Sequence, residues 1–201
     1  MSKKYKEVKL TINKVYTKAG DSGETYLVGG QKISKDHLRV CSYGEIDELI
    51  ALVGGCRESI IYFNQTNIKN LLPILKRIQN ELFNVGNMLA TTEGKVYNNM
   101  PQVDKNHIKN LEEEIDFYNK KLPVLKSFIL PGGSDINIWF HLSRTVCRRA
   151  ERSVVKLSNN ENIDTNIIKY LNRLSDALFV WSRWINYTLN LDESIWNPNE
   201  E

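Results

Sequence analysis

The sequence is poor in the residues that build covalent or metal-centred sites. Its 201 residues include three cysteines and three histidines. Cys41, Cys56 and Cys147 lie far apart and form no Cys-x-x-Cys pair, so we expect neither a disulfide framework nor a cysteine zinc site. Free thiols indicate a reducing compartment, and we therefore expect a cytoplasmic protein.

Long apolar runs and an excess of one charge are also lacking. No stretch approaches the roughly 20 apolar residues of a membrane span, and the polar first residues lack the apolar core of a signal peptide. The formal net charge is only +3, with Lys and Arg spread along the chain, which argues against a nucleic-acid binder. With 41% hydrophobic and 25% charged residues, the composition is typical of one soluble domain.

Apolar residues recur at helical spacing in five segments, and no alternating strand pattern competes with them. The spacing predicts helices over residues 40–63, 68–90, 104–121, 135–157 and 165–189, the third and fourth capped by Asp104 and Ser134. Because the connections are short, we expect an all-α, five-helix, up-and-down bundle. We divide this single domain into an N-terminal loop segment (1–40), the bundle (41–191) and a frayed C-terminal tail (192–201).

The fourth predicted helix carries a cationic side. At roughly 100° per residue, five residues fall on one face, which we call the arginine stripe: His141, Arg144, Arg148, Glu151 and Arg152. Trp139, Leu142, Val146, Ala150, Val154 and Leu157 fall on the other side. Guanidinium groups bind phosphate bidentately, so the stripe suits a polyanion. The alternative is an ordinary solvated helix face with Arg–Glu pairs.

The first 40 residues hold glycines, hydroxyls and lysines between residues 17 and 35. Such loops cradle phosphates, because backbone N–H groups approach closely and lysine supplies charge. The GxxxxGK[ST] pattern is absent, so the loop is not a standard P-loop. The alternative is a flexible, turn-rich arm.

Three stretches together resemble one family. The first is Tyr16-Thr-Lys-Ala-Gly-Asp-Ser-Gly-Glu-Thr-Tyr-Leu with Tyr43-Gly-Glu-Ile-Asp-Glu-Leu. The second is Phe128-Ile-Leu-Pro-Gly-Gly with His141-Leu-Ser-Arg-Thr-Val-Cys-Arg-Arg-Ala-Glu-Arg, and the third is Tyr170-Leu-Asn-Arg-Leu-Ser-Asp. In this order they resemble the PduO-type ATP:cob(I)alamin adenosyltransferases over about residues 13 to 190.

The resemblance implies a ferritin-like five-helix bundle that forms a homotrimer with active sites between subunits. It also implies transfer of the 5′-deoxyadenosyl group of ATP to cob(I)alamin, which forms adenosylcobalamin and releases triphosphate. Mg²⁺ would be held mainly by ATP rather than by a protein cage. A cob(II)alamin reductase and an adenosylcobalamin-dependent enzyme are the implied partners, with no nucleic acid and no membrane.

The resemblance also assigns residues. It implies that ATP is lined by Thr17, Lys18, Ala19, Gly20, Thr25, Tyr26, Lys35, Arg148, Arg149, Ala150, Glu151, Arg152 and Asn172. Phe128 would close the lower face of the cobalamin and act in catalysis with Arg148. Asp47 and Arg144 would form an acid–arginine pair between neighbouring subunits.

Two features depart from the family's pattern. Glu24 adds negative charge near the phosphates, so we expect its side chain to point away, and Ile33-Ser34 replaces the arginine or proline often found there. Two other functions fit the same residues: a regulator that binds ATP or adenosylcobalamin without turnover, and a purely structural bundle. We expect a hydrogen-bonding or packing role for His141, which has no metal-ligating partners.

Overall fold

The computed structural model describes residue 16 and residues 18–96 and 98–199. These residues form five α-helices, as predicted, and a short hairpin. The strands are β1 (Glu24–Tyr26) and β2 (Lys32–Ser34), and the helices are α1 (Leu38–Phe63), α2 (Leu71–Leu89), α3 (Lys105–Asn119), α4 (Asp135–Ser158) and α5 (Thr165–Thr188). No helix in these residues is long and apolar enough to cross a membrane.

The helices begin and end close to the predicted residues because the capping chemistry is local. Ser134 accepts a hydrogen bond from the Asn137 N–H at 3.2 Å, and Asp104 accepts from the N–H groups of Asn106 and His107. Both N-cap predictions are therefore confirmed. The predicted start of the second helix at Ile68 is three residues early, since residues Thr66–Ile68 form a separate 3₁₀ turn.

Helix α1 packs against both α2 and α4, α4 packs against α5, and α5 packs against α3. The predicted apolar stripes meet in one core, including the fully buried Leu49, Leu82, Leu171 and Trp181. Gly55 permits a close approach of α1 and α4, because a Cβ there would lie 2.5 Å from the Trp139 ring.

Two elements differ from the sequence-based expectation. The N-terminal segment contains an antiparallel hairpin that pairs Thr25 with Ile33, whereas we expected no strand. Its strands have three residues each, too few to show an alternating pattern.

The C-terminal segment is docked rather than frayed. Ile195 forms an antiparallel bridge with Ile129, and the N–H of Trp196 donates to the Phe128 carbonyl at 2.8 Å. The guanidinium of Arg183, which is buried in α5, pairs with Glu193 at 2.8 Å and so anchors this segment. Pairing between such distant residues leaves no local signal in the sequence.

A buried arginine fixes the end of the bundle where α1 begins. Arg39 is 2% exposed and donates to the carbonyls of Leu89 and Thr91 at 2.6 and 3.1 Å. It also pairs with Glu161 in the connection between α4 and α5. One guanidinium therefore joins the start of α1 to the end of α2 and to the loop after α4.

We expect Arg39→Met to lower the free energy of unfolding by about 3 kcal/mol, because two buried carbonyls and a carboxylate lose their donor. Urea unfolding at equal protein concentrations measures the change. The matched control is Arg173→Met, which removes a partly exposed pair with Glu112 and Asp176 and should cost less than about 1 kcal/mol. Equal losses in the two variants would contradict this role of Arg39.

Candidate functional site

The arginine stripe of α4 divides between solvent and core. Arg148 and Arg152 are exposed, and neither has a hydrogen bond or ion pair within the described residues. Between them, the Glu151 carboxylate accepts a hydrogen bond from the Asn172 side chain of α5 at 3.2 Å. The structure thus brings four predicted ATP ligands together on the α4–α5 surface: Arg148, Glu151, Arg152 and Asn172.

Two other predicted ATP ligands on α4 have different surroundings. Arg149 pairs with Glu45 and Glu48 of α1, and these two carboxylates raise the pKa of its guanidinium. Ala150 is fully buried in the core. Successive side chains on a helix point about 100° apart, so the side chain of Arg149, the residue after Arg148, faces α1. ATP binding by these two residues stays a prediction.

The N-terminal hairpin holds most of the remaining predicted ATP ligands. Lys18 adopts a left-handed conformation (φ +61°), and the Lys35 ammonium donates to the Gly20 carbonyl at 2.8 Å. Ala19 lies in the same turn, Thr25 and Tyr26 lie on β1, and Thr17 lies outside the described residues. The chain therefore folds back on itself, so that Lys18 and Lys35 both lie beside the turn that contains Gly20.

Glu24 lies on the same hairpin and pairs with Lys32 on the opposite strand. The hydrogen bond from Lys32 lowers the pKa of the Glu24 carboxyl. The Glu24 carboxylate is therefore neutralised by Lys32 of the same hairpin.

The hairpin and the arginine stripe lie on different parts of the chain's surface. The Val28 N–H donates to the Ala90 carbonyl at 3.0 Å, and the Gln31 amide donates to the Thr92 hydroxyl at 2.8 Å, which anchors the hairpin at the end of α2. The exposed arginines lie on the α4–α5 side, and α1 packs between α2 and α4.

Beside the stripe is a cavity of about 640 Å³. It is lined by Leu125, Lys126, Ser127, Phe128, Ile129, His141, Arg144, Phe179 and Trp196. The Phe128 ring is 78% exposed, and its centroid lies 6.2 Å from that of Trp196. The C-terminal segment therefore fixes the backbone of Phe128 while the ring stays available at the cavity.

His141 was predicted on the solvent side of α4, and that placement is wrong. Its side chain is 4% exposed because α5 packs over it, with Ser182 at 3.4 Å and the Phe179 ring edge-to-face. The expected packing and hydrogen-bonding role is confirmed. Conversely, Trp139 and Leu142 were assigned to the core side but are partly exposed, since the buried arc of α4 is turned towards α5.

Arg144 extends from α4 into the same cavity. Burial and the neighbouring Arg148 lower the pKa of its guanidinium, and its Nε has no hydrogen-bond partner among the described residues. Three arginines on consecutive turns, Arg144, Arg148 and Arg152, therefore share one surface with the Glu151 carboxylate. Such a surface carries fixed positive charge that favours an anionic ligand.

Asp47 lies on the other side of the bundle, in an apolar groove of about 390 Å³ between α1 and α2. Phe83 of α2 is 63% exposed in this groove, and the Asp47 carboxylate has no partner within the described residues. The structure does not bring Asp47 and Arg144 together within one chain. A pair between them would require two chains.

Several residues of the site gave no sequence signal. Phe179 and Trp196 form walls of the cavity, and Glu45 and Glu48 hold Arg149, but all four lie far in sequence from the residues they contact. Phe179 is the exception, because it is a large apolar residue outside the apolar stripe of α5 (Leu171, Leu174, Leu178, Trp181 and Ile185), and such a residue is a usable signal. In the part of the chain that the structure describes, no three His, Cys, Asp or Glu side chains are placed to hold a metal.

Comparison with known proteins places this geometry in a family. A family model described as cobalamin adenosyltransferase matches residues 15–185. The corrinoid adenosyltransferase of Bacillus subtilis (strain 168) is 45% identical over 174 residues, which cover 86% of this chain and 86% of that protein.

Solved structures agree with this match. A Phe-to-Ala variant of the PduO-type ATP:corrinoid adenosyltransferase from Lactobacillus reuteri, complexed with cobalamin and ATP, superposes with a TM-score of 0.85 at 35% identity, covering 92% of this chain and 99% of that one. An Arg-to-Lys variant complexed with ATP gives a TM-score of 0.83 at 34% identity, covering 91% and 100%. By its sequence and its fold, this chain belongs to the cobalamin adenosyltransferase family.

Proposed function

We propose that this chain transfers the 5′-deoxyadenosyl group of ATP to cob(I)alamin, forming adenosylcobalamin and triphosphate. The observation that carries the proposal is the group of exposed arginines on α4 beside the cavity that Phe128 lines. The arginines suit a triphosphate, and the apolar cavity suits a corrin ring. One relative with a solved structure is complexed with the same two molecules, cobalamin and ATP, and another is complexed with ATP.

In this reaction the nucleophile belongs to a substrate. The electron pair of cobalt(I) attacks C5′ of ATP, the cobalt–carbon bond forms, and the C5′–oxygen bond breaks as triphosphate leaves; cobalt becomes formally cobalt(III). The protein has to align the two substrates and stabilise charge on the leaving group. Arg148 and the hairpin lysines, Lys18 and Lys35, supply that charge, and Phe128 excludes a lower axial ligand so that cobalt is easier to reduce.

A site shared between subunits reconciles the two separated groups of ATP ligands. The hairpin lies at the end of α2, whereas Arg148 and Arg152 lie on the α4–α5 surface. In a homotrimer, the hairpin and the α1–α2 groove of one subunit would face α4 of its neighbour. Asp47, which has no partner within the described part of its own chain, would then pair with Arg144 of the next subunit.

The remaining parts of the proposal concern cofactors and context. Mg²⁺ would bind together with ATP and be held mainly by the triphosphate oxygens. A cob(II)alamin reductase would supply the reduced corrinoid, and an adenosylcobalamin-dependent enzyme would use the product. The free thiols of Cys41, Cys56 and Cys147 fit a reducing cytoplasm.

A regulator that binds the same ligands without turnover is the alternative. The two functions separate when protein, ATP and chemically reduced cobalamin are mixed and the visible spectrum is followed. An enzyme produces the spectrum of the cobalt–carbon bond over many turnovers. A regulator that only binds the two ligands produces no cobalt–carbon spectrum.

We expect Arg148→Ala to lower kcat/KM for ATP by at least about 100-fold, because the leaving triphosphate loses a fixed cation. The free energy of unfolding should change by less than about 0.5 kcal/mol, since this side chain is exposed and contacts no described partner. Turnover and urea unfolding are measured on the same preparations. Lys156→Ala, an exposed cation on the same helix, is the control and should keep normal turnover.

We expect Phe128→Ala to slow adenosylation at least about tenfold when the reaction starts from cob(II)alamin with a reductant, a rise of about 1.4 kcal/mol in the barrier. With chemically prepared cob(I)alamin the loss should be much smaller, because the ring acts on the reduction. Phe117→Ala, which changes an exposed ring on α3, is the control. Equal slowing from both oxidation states would refute the reduction role.

We expect Asp47→Asn to weaken self-association at least about tenfold, because Arg144 of the neighbouring subunit would lose its ionic partner. Sedimentation velocity over a range of protein concentrations measures the association. Asp116→Asn replaces an exposed carboxylate on α3 and should leave self-association unchanged. An unaltered assembly of the Asp47 variant, together with normal kinetics, would show that Asp47 is only a surface charge.

A further inference from the structure

The cavity wall contains one buried polar side chain that the proposed reaction does not use. His141 is 4% exposed and lines the cavity with Phe128, Phe179 and Trp196. Its Nδ1 atom is shielded from solvent and has no hydrogen-bond partner within the described residues. Buried polar atoms are rarely left unpaired in folded proteins, so this atom is a candidate contact for a ligand.

The Ser182 hydroxyl lies next to one ring nitrogen of His141 and favours one of its two neutral tautomers. The Ser182 hydroxyl donates its hydrogen to the Phe179 carbonyl at 2.7 Å, and its oxygen lies 3.4 Å from Nε2 of His141. Because the hydroxyl has only one hydrogen to donate, this arrangement fits the tautomer in which Nε2 carries the proton and donates to the Ser182 oxygen. Nδ1 of a neutral ring is then a bare hydrogen-bond acceptor.

The ring is neutral at physiological pH. Burial and the positive charge of Arg144 lower the pKa of His141 to about 4, although the carboxylate of Glu193 acts in the opposite direction. Below that pKa, Nδ1 would carry a proton and act as a donor. Near pH 7 the cavity wall therefore presents an acceptor and not a cation at this position.

The corrin ring carries primary amides on its edge, and each amide offers N–H donors. If one amide is hydrolysed, a carboxylate that can only accept takes its place. We propose that His141 is a specificity-determining residue, whose Nδ1 accepts a hydrogen bond from a peripheral amide N–H and so selects amidated corrinoids over their carboxylic acids. This inference rests on the proposed function, since it takes the corrin to be the molecule that enters the cavity.

The cationic side chains of the cavity favour the carboxylic acids over the amidated corrinoids. Arg144 and Lys126 are both cationic and would attract a carboxylate on the corrin edge. An amide preference therefore has to come from an acceptor that repels a carboxylate, and His141 is the buried acceptor side chain among the residues that line the cavity. Removing that acceptor should reverse the preference rather than merely weaken binding.

The experiment compares cobalamin with each of its separated monocarboxylic acids, in which one peripheral amide has been hydrolysed. Dissociation constants at pH 7.5 are measured from quenching of tryptophan fluorescence, because Trp196 lies in the cavity wall. We expect the wild-type protein to bind cobalamin at least about tenfold more tightly than one of the acids. For that acid, His141→Leu should lower the ratio to about one or below.

His141→Asn is the matched variant, because its side-chain oxygen occupies nearly the position of Nδ1 and should keep most of the amide preference. A wild-type ratio near one for every acid would overturn the proposal, whether or not the variants fold. An unchanged ratio in a folded His141→Leu protein would also overturn it. If the wild-type ratio is as expected but ATP and reduced cobalamin give no product, the proposed reaction fails while the role of His141 stands.

Discussion

Packing of α4 between α1 and α5 is the constraint on which the rest of the structure depends. Val146, Ala150 and Val154 are buried, and Arg149 is paired with two carboxylates of α1, so the helix has no freedom to turn about its axis. Arg148 and Arg152 are therefore held on the surface by the core beneath them. Cations fixed in this way need little reorganisation when an anion arrives, which is the condition for electrostatic catalysis.

The two ends of α4 have different tasks in this arrangement. Its start follows the turn of Gly132 and Gly133, which is held by the side chains of Asn137 and Asn186. That turn connects α4 to the Phe128 segment and so to the cavity. The middle and the end of the helix carry the exposed arginines, so one rigid element sets the distance between a corrin site and a phosphate site.

Much of this was predictable from the sequence, and the failures have a common cause. Helical periodicity and caps such as Ser134 and Asp104 act over a few residues, so the five helices were found with nearly correct bounds. The hairpin, the docked C-terminal segment and the burial of His141 depend on contacts between residues far apart in the chain. The pairing of Arg149 with Glu45 likewise left no local signal, because it depends on which helix packs beside α4.

The bridge between Ile129 and Ile195 has a practical consequence for handling the protein. Since the Trp196 N–H is bonded to the Phe128 carbonyl, the segment around Trp196 borders the mouth of the cavity. A bulky label attached to this segment would compete with large molecules for access to the cavity. Labels for binding measurements are better placed on the exposed face of α3.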